Sequence, residues 1–284
     1  MKKHLKITLS ACVLAALALP AFAACTNDKD DPEVTLPPVD VIVPVAPEEN
    51  EPDIGENLPS EGEDDPTVVL PDPKPVVAQY VKIMTDNLNV RKGAGTNYSS
   101  LGTVEKNILM KYVGQSGNWY EIRFMGQKAF VHAGHAKLVT QNKGSETTEK
   151  IIDEGLNVLG TPYVYGATRL HDGKGNLISG FTTKKFDCSS LMQYMFYQGA
   201  GIYLNMTTRT QISQGKAVTD DLKRGDLMFF TNESRKNNTG IERVGHVALY
   251  LGDNYILHTA SDYAKIEQIS QTRWSYYLSA RRMV

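Results

Sequence analysis

Apolar and polar positions begin to alternate with the period of a strand at Tyr80, and not before it. Tyr80-Val81-Lys82-Ile83, Ile108 to Val113, Trp119 to Phe124 and Lys128 to Val131 read as short strands. Gly93-Ala94-Gly95, Gln115-Ser116-Gly117-Asn118 and Met125-Gly126-Gln127 divide them. Together they predict a small β-barrel over residues 79–140. The period then changes. Ser145 stands as an N-cap with Glu146 and Glu149 behind it, and Ile151, Ile152, Leu156 and Leu159 form one apolar face that stops at Gly160 and Pro162. This helix opens a second domain, residues 145–284. Within it, Leu191 to Tyr197 reads as a buried helix that ends at Gly199-Ala200-Gly201, with Asp187 as its N-cap. Val244 to Leu251 and Tyr255 to Thr259 flank Gly252-Asp253-Asn254 and read as a hairpin.

The residues ahead of Tyr80 follow other rules. Lys2, Lys3 and Lys6 precede an apolar run from Ile7 to Ala23, which is short, basic in front and closed by small residues. That is an export signal over residues 1–24 rather than a membrane span. Ala21-Phe22-Ala23 fits ordinary signal peptidase, while Phe22-Ala23-Ala24-Cys25 resembles a bacterial lipobox. The second reading is favoured: it makes Cys25 the lipidated first residue of a membrane-anchored lipoprotein facing the periplasm or the cell exterior. Residues 25–78 then hold 11 of the chain's 13 prolines and 15 acidic residues against Lys29 and Lys74. Such a stretch buries too little apolar surface to fold and its charges repel, so it reads as a disordered tether.

The formal charge of −2 therefore hides an asymmetry: residues 79–284 carry 25 Lys and Arg against 17 Asp and Glu, a net +8. A mildly basic body suits an anionic polymer. Nucleic acid is excluded as a partner by the export signal and by the lack of a basic-aromatic recognition motif.

Of three cysteines, Cys12 leaves with the signal and Cys25 begins the tether, so Cys188 has no obvious partner. Placed after Asp187, it falls in the first turn of its helix, where unpaired N–H groups and the helix dipole favour a thiolate near neutral pH. The alternatives are a small buried core residue or a disulfide to Cys25. A base is available in the hairpin. With a three-residue loop, Leu251 faces Tyr255 and Ala248 faces His258, so alternation puts His246 on the same face as His258. A slip of one residue would separate them. Thiol and imidazoles suit a cysteine hydrolase, with His246 moving the proton and His258 orienting it. His132 and His135 are too few for a metal site and read as surface residues. No cofactor is implied.

Five segments carry a family resemblance: Gly160-Thr161-Pro162-Tyr163-Val164-Tyr165-Gly166, Asp187 to Leu191, Arg224 to Phe230, Gly245 to Gly252, and Ile256 to Ala260. By these, residues 146–284 resemble the NlpC family of peptidoglycan cysteine peptidases. The resemblance implies an α+β, papain-like fold. Cys188 aligns with the family's nucleophile, His246 with its base and His258 with its orienting residue. Tyr163 aligns with a tyrosine that helps bind the oxyanion or substrate, and is otherwise a plain core aromatic. Leu88-Asn89-Val90-Arg91-Lys92-Gly93 and Trp119-Tyr120-Glu121-Ile122 resemble a bacterial SH3-type module, with Ala129-Phe130 where that family has Gly-Trp. Such modules bind wall peptide or close off a neighbouring active site.

Departures bear on specificity. Ser190 replaces the usual Gly after Asp-Cys-Ser. Residues 168–186 form a longer loop, read as a flexible rim or lid, with His171 solvated in it. Members that require a free N-terminal L-alanine carry an aspartate where this chain has Thr207, although Ser189, which also contacts that amine, is kept. The resemblance therefore implies a monomeric, exported cysteine endopeptidase of stem peptides, most simply at the γ-D-glutamyl–diamino acid bond. The alternatives are a cross-link-cleaving D,D-endopeptidase or amidase, an acyltransferase, or a wall-binding protein without turnover.

Overall fold

Seven strands make up the alternating segment: β1 (Val77–Ile83), β2 (Leu88–Arg91), β3 (Ser100–Val104), β4 (Leu109–Ser116), β5 (Trp119–Phe124), β6 (Gln127–His132) and β7 (Ala136–Asn142). The structure, a computed structural model, describes residues 75–284; the export signal, Cys25 and residues 26–74 lie outside the described residues, whereas Val77 and Ala78, expected at the end of the disordered tether, already belong to β1 and pair with β7. All pairings among these strands are antiparallel, and β1 bonds to both β4 and β7, which folds the strands over a common interior. Val81, Ile83, Val90, Ile122 and Val131 are fully buried there, and Ala129 and Phe130 are buried with them.

The remainder follows as α1 (Glu146–Asn157), α2 (Cys188–Ala200), α3 (Thr208–Gln211), β8 (Lys216–Ala217), β9 (Leu227–Phe230), β10 (His246–Gly252), β11 (Tyr255–Ala260), β12 (Tyr263–Gln268), α4 (Gln271–Ser275) and β13 (Tyr277–Arg282). Its strands lie in the order β12-β11-β10-β9-β13-β8. Helices α1 and α2 pack on each other, and α2 on β10 and β11. Ile151, Ile152, Phe186, Leu191, Met195, Phe196, Val247 and Leu257 fill that contact.

Both helices start where their caps dictate. Ser145 Oγ accepts the Thr148 N–H at 3.1 Å. At α2 the cap is reciprocal: Asp187 Oδ1 accepts the Ser190 N–H at 2.8 Å, and Ser190 Oγ accepts the Asp187 N–H at 2.9 Å. Ser190, a departure from the family's Gly, thus completes a capping box. Helix α2 stops because Gly201 adopts the left-handed conformation, φ 66°.

The barrel joins the second sheet directly. Leu109 of β4 pairs with Ile266 of β12, and the Met125 N–H donates to Leu159 O at 2.6 Å. Gly160, at φ 87°, lies so close to the Phe124 ring that any side chain there would collide with it. Arg224 is the polar clasp. It donates to Glu149 of α1 at 2.6 and 3.0 Å, to Tyr80 Oη of β1 at 2.7 Å and to Leu251 O of β10 at 2.7 Å.

One expectation for the loop before α2 is overturned. His171 is fully buried, not solvated: its ring packs against both Tyr197 and Tyr203, and its Nδ1 accepts the Gly173 N–H at 3.1 Å. Gln193 of α2 donates to His171 O at 3.2 Å, while Phe181 stacks on Tyr194. Aromatic burial holds the loop against α2, and Arg169 at its start contributes to the rim of the cleft. Among the described residues no helix is long and apolar enough to cross a membrane.

Candidate active site

Helix α2 brings the Cys188 thiol to the floor of a cleft whose lining includes Tyr163 and His246. The N–H groups of Ser189 and Val247 point at its sulfur and favour the thiolate, but burial and the neighbouring Asp187 carboxylate outweigh them and push the thiol up to about 12. This corrects the expectation of a thiol ionised near neutral pH. The first turn of α2 does supply donors, yet the same turn is largely buried.

The hairpin supplies the imidazoles. Its turn has two residues, Asp253 and Asn254, both at positive φ (48° and 63°), rather than three. An irregularity between Tyr250 and Gly252 then restores the register, so that Leu249 pairs with Leu257. One position further on, His258 lies opposite Ala248 and on the face of His246. His246 Nε2 is 3.0 Å from His258 Nδ1, and both side chains are buried. Burial drives both imidazoles below their ordinary range, His246 well below it, with His258 and Arg273 adding to the effect at His246.

A further residue, Glu267 of β12, closes the line. Its Oε1 lies 2.9 Å from His258 Nε2, and it is also held by Arg273 at 3.0 Å and Lys265 at 3.3 Å. These partners keep the carboxyl far below the usual range despite burial. The sequence reading missed Glu267. Its only signal was the continuation of the hairpin into a third strand, where His258 pairs with Lys265 and Glu267 follows on the same face.

Tyr163 reaches the cleft because its N–H donates to Asp262 O at 2.8 Å beyond β11 and its backbone bridges to Phe186. Partial burial, then Cys188 and Asp187, raise its phenol. Ser189 and Thr207 line a second lobe of the cleft, beside Cys188, Arg169 and Asp187. Ser189 Oγ donates to Asp187 Oδ1 at 3.1 Å and accepts from Arg169 Nη2 at 2.9 Å. Thr207 caps the short α3, its Oγ1 3.1 Å from Thr210 Oγ1. A buried thiol, two imidazoles in line and backbone donors at the sulfur are the groups that acyl substitution at a carbonyl requires.

His132 and His135 lie elsewhere, in a depression of the barrel with Trp119 and Asp86, where His132 Nδ1 accepts the Gly134 N–H at 3.1 Å. Among the described residues no group of three or more His, Cys, Asp or Glu is placed to hold a metal ion.

Residues 160–283 match the model of the NlpC/P60 family, and residues 86–137 that of the bacterial SH3 domain. The chain carries an NlpC/P60 domain behind a bacterial SH3 domain. Over 208 residues it is 30% identical to the gamma-D-glutamyl-L-lysine dipeptidyl-peptidase of Bacillus subtilis, covering 72% of this chain and 61% of that one. Over 139 residues it is 30% identical to the peptidoglycan endopeptidase RipA of Mycolicibacterium smegmatis, covering 48% of this chain and 26% of that one. A solved NlpC/P60 family protein from Bacillus cereus aligns with a TM-score of 0.39 and 22% identity, over 72% of this chain and 63% of its own. The chain thus spans between about a quarter and three fifths of the length of these two curated relatives. Its NlpC/P60 domain sets the Cys188 thiol, the His246 imidazole and Tyr163 on one cleft, with His258 buried behind His246, and no residue of the SH3 domain lines either lobe. The SH3 domain backs β12, the strand of Glu267, rather than walling the site.

Proposed function

We propose that this protein is a cysteine endopeptidase of peptidoglycan that hydrolyses the γ-D-glutamyl–diamino acid bond of stem peptides. The observation that carries the reading is the line from the Cys188 cleft through His246 to His258, with the imidazoles 3.0 Å apart. The bond assignment is supported by the relative that acts on gamma-D-glutamyl-L-lysine.

In this reading His246 Nδ1, the nitrogen not engaged by His258, takes the Cys188 proton as sulfur attacks the γ-carbonyl. The C–S bond forms and the carbonyl π electrons move to oxygen. That oxyanion is held by backbone N–H groups at the start of α2 and by the Tyr163 hydroxyl. Collapse breaks the C–N bond, and the leaving amine takes the proton from His246. Water, deprotonated by the same nitrogen, then cleaves the thioester and restores the thiol. No metal or organic cofactor enters. The export signal would send the enzyme out, and lipidation at Cys25 with a tether of residues 25–74 would hold it, as a monomer, on a membrane facing the wall.

The test is mass spectrometry of defined muropeptides incubated with the protein and with Cys188→Ala. Release of the diamino acid end from the L-Ala–D-Glu end, absent in the variant, supports the proposal. Cleavage of cross-linked dimers alone points to the D,D-endopeptidase alternative. No turnover of any muropeptide points to a wall-binding protein.

A further inference from the structure

We propose that His171 is a positioning residue for the cleft and holds its place only as a neutral ring, so that acid releases the loop of residues 168–186 from α2. The effect on substrate rests on the peptidase reading above, whereas the release of the loop does not.

The loop carries part of the cleft wall. Arg169 lines the cleft, where its guanidinium donates to Ser189 Oγ at 2.9 Å and to Met206 O at 2.8 Å and pairs with Asp187 Oδ2 at 2.7 Å. Just beyond it the chain turns inward. Leu170 is buried, with its carbonyl accepting the Ile178 N–H at 2.9 Å, and the fully buried His171 bridges to Leu177. Gln193 of α2 joins this turn to the segment after the helix, because its Nε2 donates to His171 O at 3.2 Å and to Leu204 O at 2.8 Å. The His171 ring packs on Tyr197 and Tyr203, with centroids 5.4 and 5.0 Å away. Arg169 and Met206, which meet at the cleft, are thus held from behind by one buried cluster.

That cluster accepts one protonation state of the ring. Nδ1 accepts the Gly173 N–H at 3.1 Å, and Gln193 Nε2, a second donor, lies 3.4 Å from it. The neutral ring therefore carries its proton on Nε2, which is buried with no hydrogen-bond partner among the described residues. A second proton, on Nδ1, would face two donors, and neither N–H of the imidazolium would find an acceptor. A buried charge so placed is costly, and the ring regains water only by leaving its site. Little offsets the cost. Helix α2 presents Tyr197 and Gln193 to the ring and the segment after it presents Tyr203, none of them a carboxylate. On the loop itself the charged group that acts on the ring is Asp172, whose carboxylate is engaged by Asn176 Nδ2 and the Lys174 N–H, both at 2.7 Å. Burial outweighs Asp172 and holds the ring below its ordinary value of 6.5. Below that value the open loop takes up a proton that the closed loop refuses, so closure weakens as pH falls.

Hydrogen exchange on the whole protein, corrected for intrinsic amide rates and read at about pH 8 and about pH 5, tests the release directly. Protection of residues 168–186 should fall at least roughly fivefold relative to α1 on acidification, the factor that one unaccepted buried donor produces at the low end of its range. His171→Asn should abolish the difference between the two pH values, since an Asn oxygen accepts the Gly173 N–H as Nδ1 does but does not titrate. On one muropeptide, the same acidification should raise the KM of the native protein by a similar factor and leave that of His171→Asn unmoved. Loop protection independent of pH in the native protein overturns the proposal, with or without a folded variant. So does a KM that rises equally in a folded His171→Asn. Turnover of no muropeptide at pH 8 overturns the peptidase reading instead, and exchange alone then decides whether acid releases the loop.

Discussion

His246 donates to His258 through a hydrogen bond of 3.0 Å, and the direction of that bond is set from a third residue away. Glu267 is held far below the carboxylate range by Arg273, Lys265 and His258, so it only accepts. His258 Nε2 must then carry the proton it gives to Glu267 Oε1 at 2.9 Å, which leaves Nδ1 as an acceptor. His246 Nε2 therefore carries a proton, and its Nδ1 lone pair is left for the thiol.

This chain makes Glu267 a positioning residue. His258→Ala should lower kcat within the roughly 10²–10⁴-fold span of a general acid–base contribution. Glu267→Ala should lower it less and leave KM unchanged. Glu267→Gln, whose amide oxygen accepts the same N–H, should recover most of the loss. Steady-state kinetics on one muropeptide checks all three, and a purely structural role would lower thermal stability without that rescue.

The titrations have a definite sign. His246 and His258 bind protons less readily in the fold than in the unfolded chain, where they titrate near 6.5. Below that value the unfolded chain takes up protons that the fold refuses, so stability falls as pH drops, and Glu267 adds to the loss below 4.5. Thermal unfolding between pH 8 and pH 4 should show the melting temperature falling with acid. With the Cys188 thiol at about 12, its alkylation rate should climb through pH 9 without a plateau. A plateau below pH 7 would instead show a standing thiolate–imidazolium pair.

Tyr163 lines the cleft together with Cys188, and removing its hydroxyl tests its part in holding the oxyanion. Tyr163→Phe should lower kcat by about 10²–10³-fold, or about 2.7–4 kcal/mol, with substrate binding little changed. An unchanged kcat would return Tyr163 to the role of a packing aromatic.

Arg224 tests the clasp between the two sheets. Its side chain is 6% exposed and it bonds to α1, β1 and β10 together. Arg224→Ala strands Glu149 in a half-buried site and should cost about 3–5 kcal/mol of unfolding free energy. Arg224→Lys should not restore it, since one ammonium cannot match the planar fork that serves Glu149, Tyr80 and Leu251. Urea denaturation of both variants measures the difference.

What the sequence settles by itself is local. The caps at Ser145 and Asp187 are legible because a cap needs only a side-chain oxygen three residues before the N–H that it accepts. The alternation of Ile122, Arg123 and Phe124 in β5 is legible because a two-residue period marks a half-buried face. Even the meeting of His246 and His258 follows from counting across the hairpin, although the count succeeds through a cancellation. The turn is one residue shorter than expected, and an irregularity at the end of β10 takes up the difference.

The tertiary structure decides whatever depends on contacts between distant segments. The burial of His171 comes from Tyr197 and Tyr203, which belong to the far end of α2 and the loop after it. The raised thiol comes from burial that the first turn of α2 alone does not reveal. Glu267 reaches His258 only once β12 pairs with β11, and β12 is in turn bonded to Leu109 of the barrel. Caps and alternation act within a few residues and are written in them. Burial, charge pairing and the supply of a third partner are properties of the packed chain, because each is fixed by groups that the sequence places far apart.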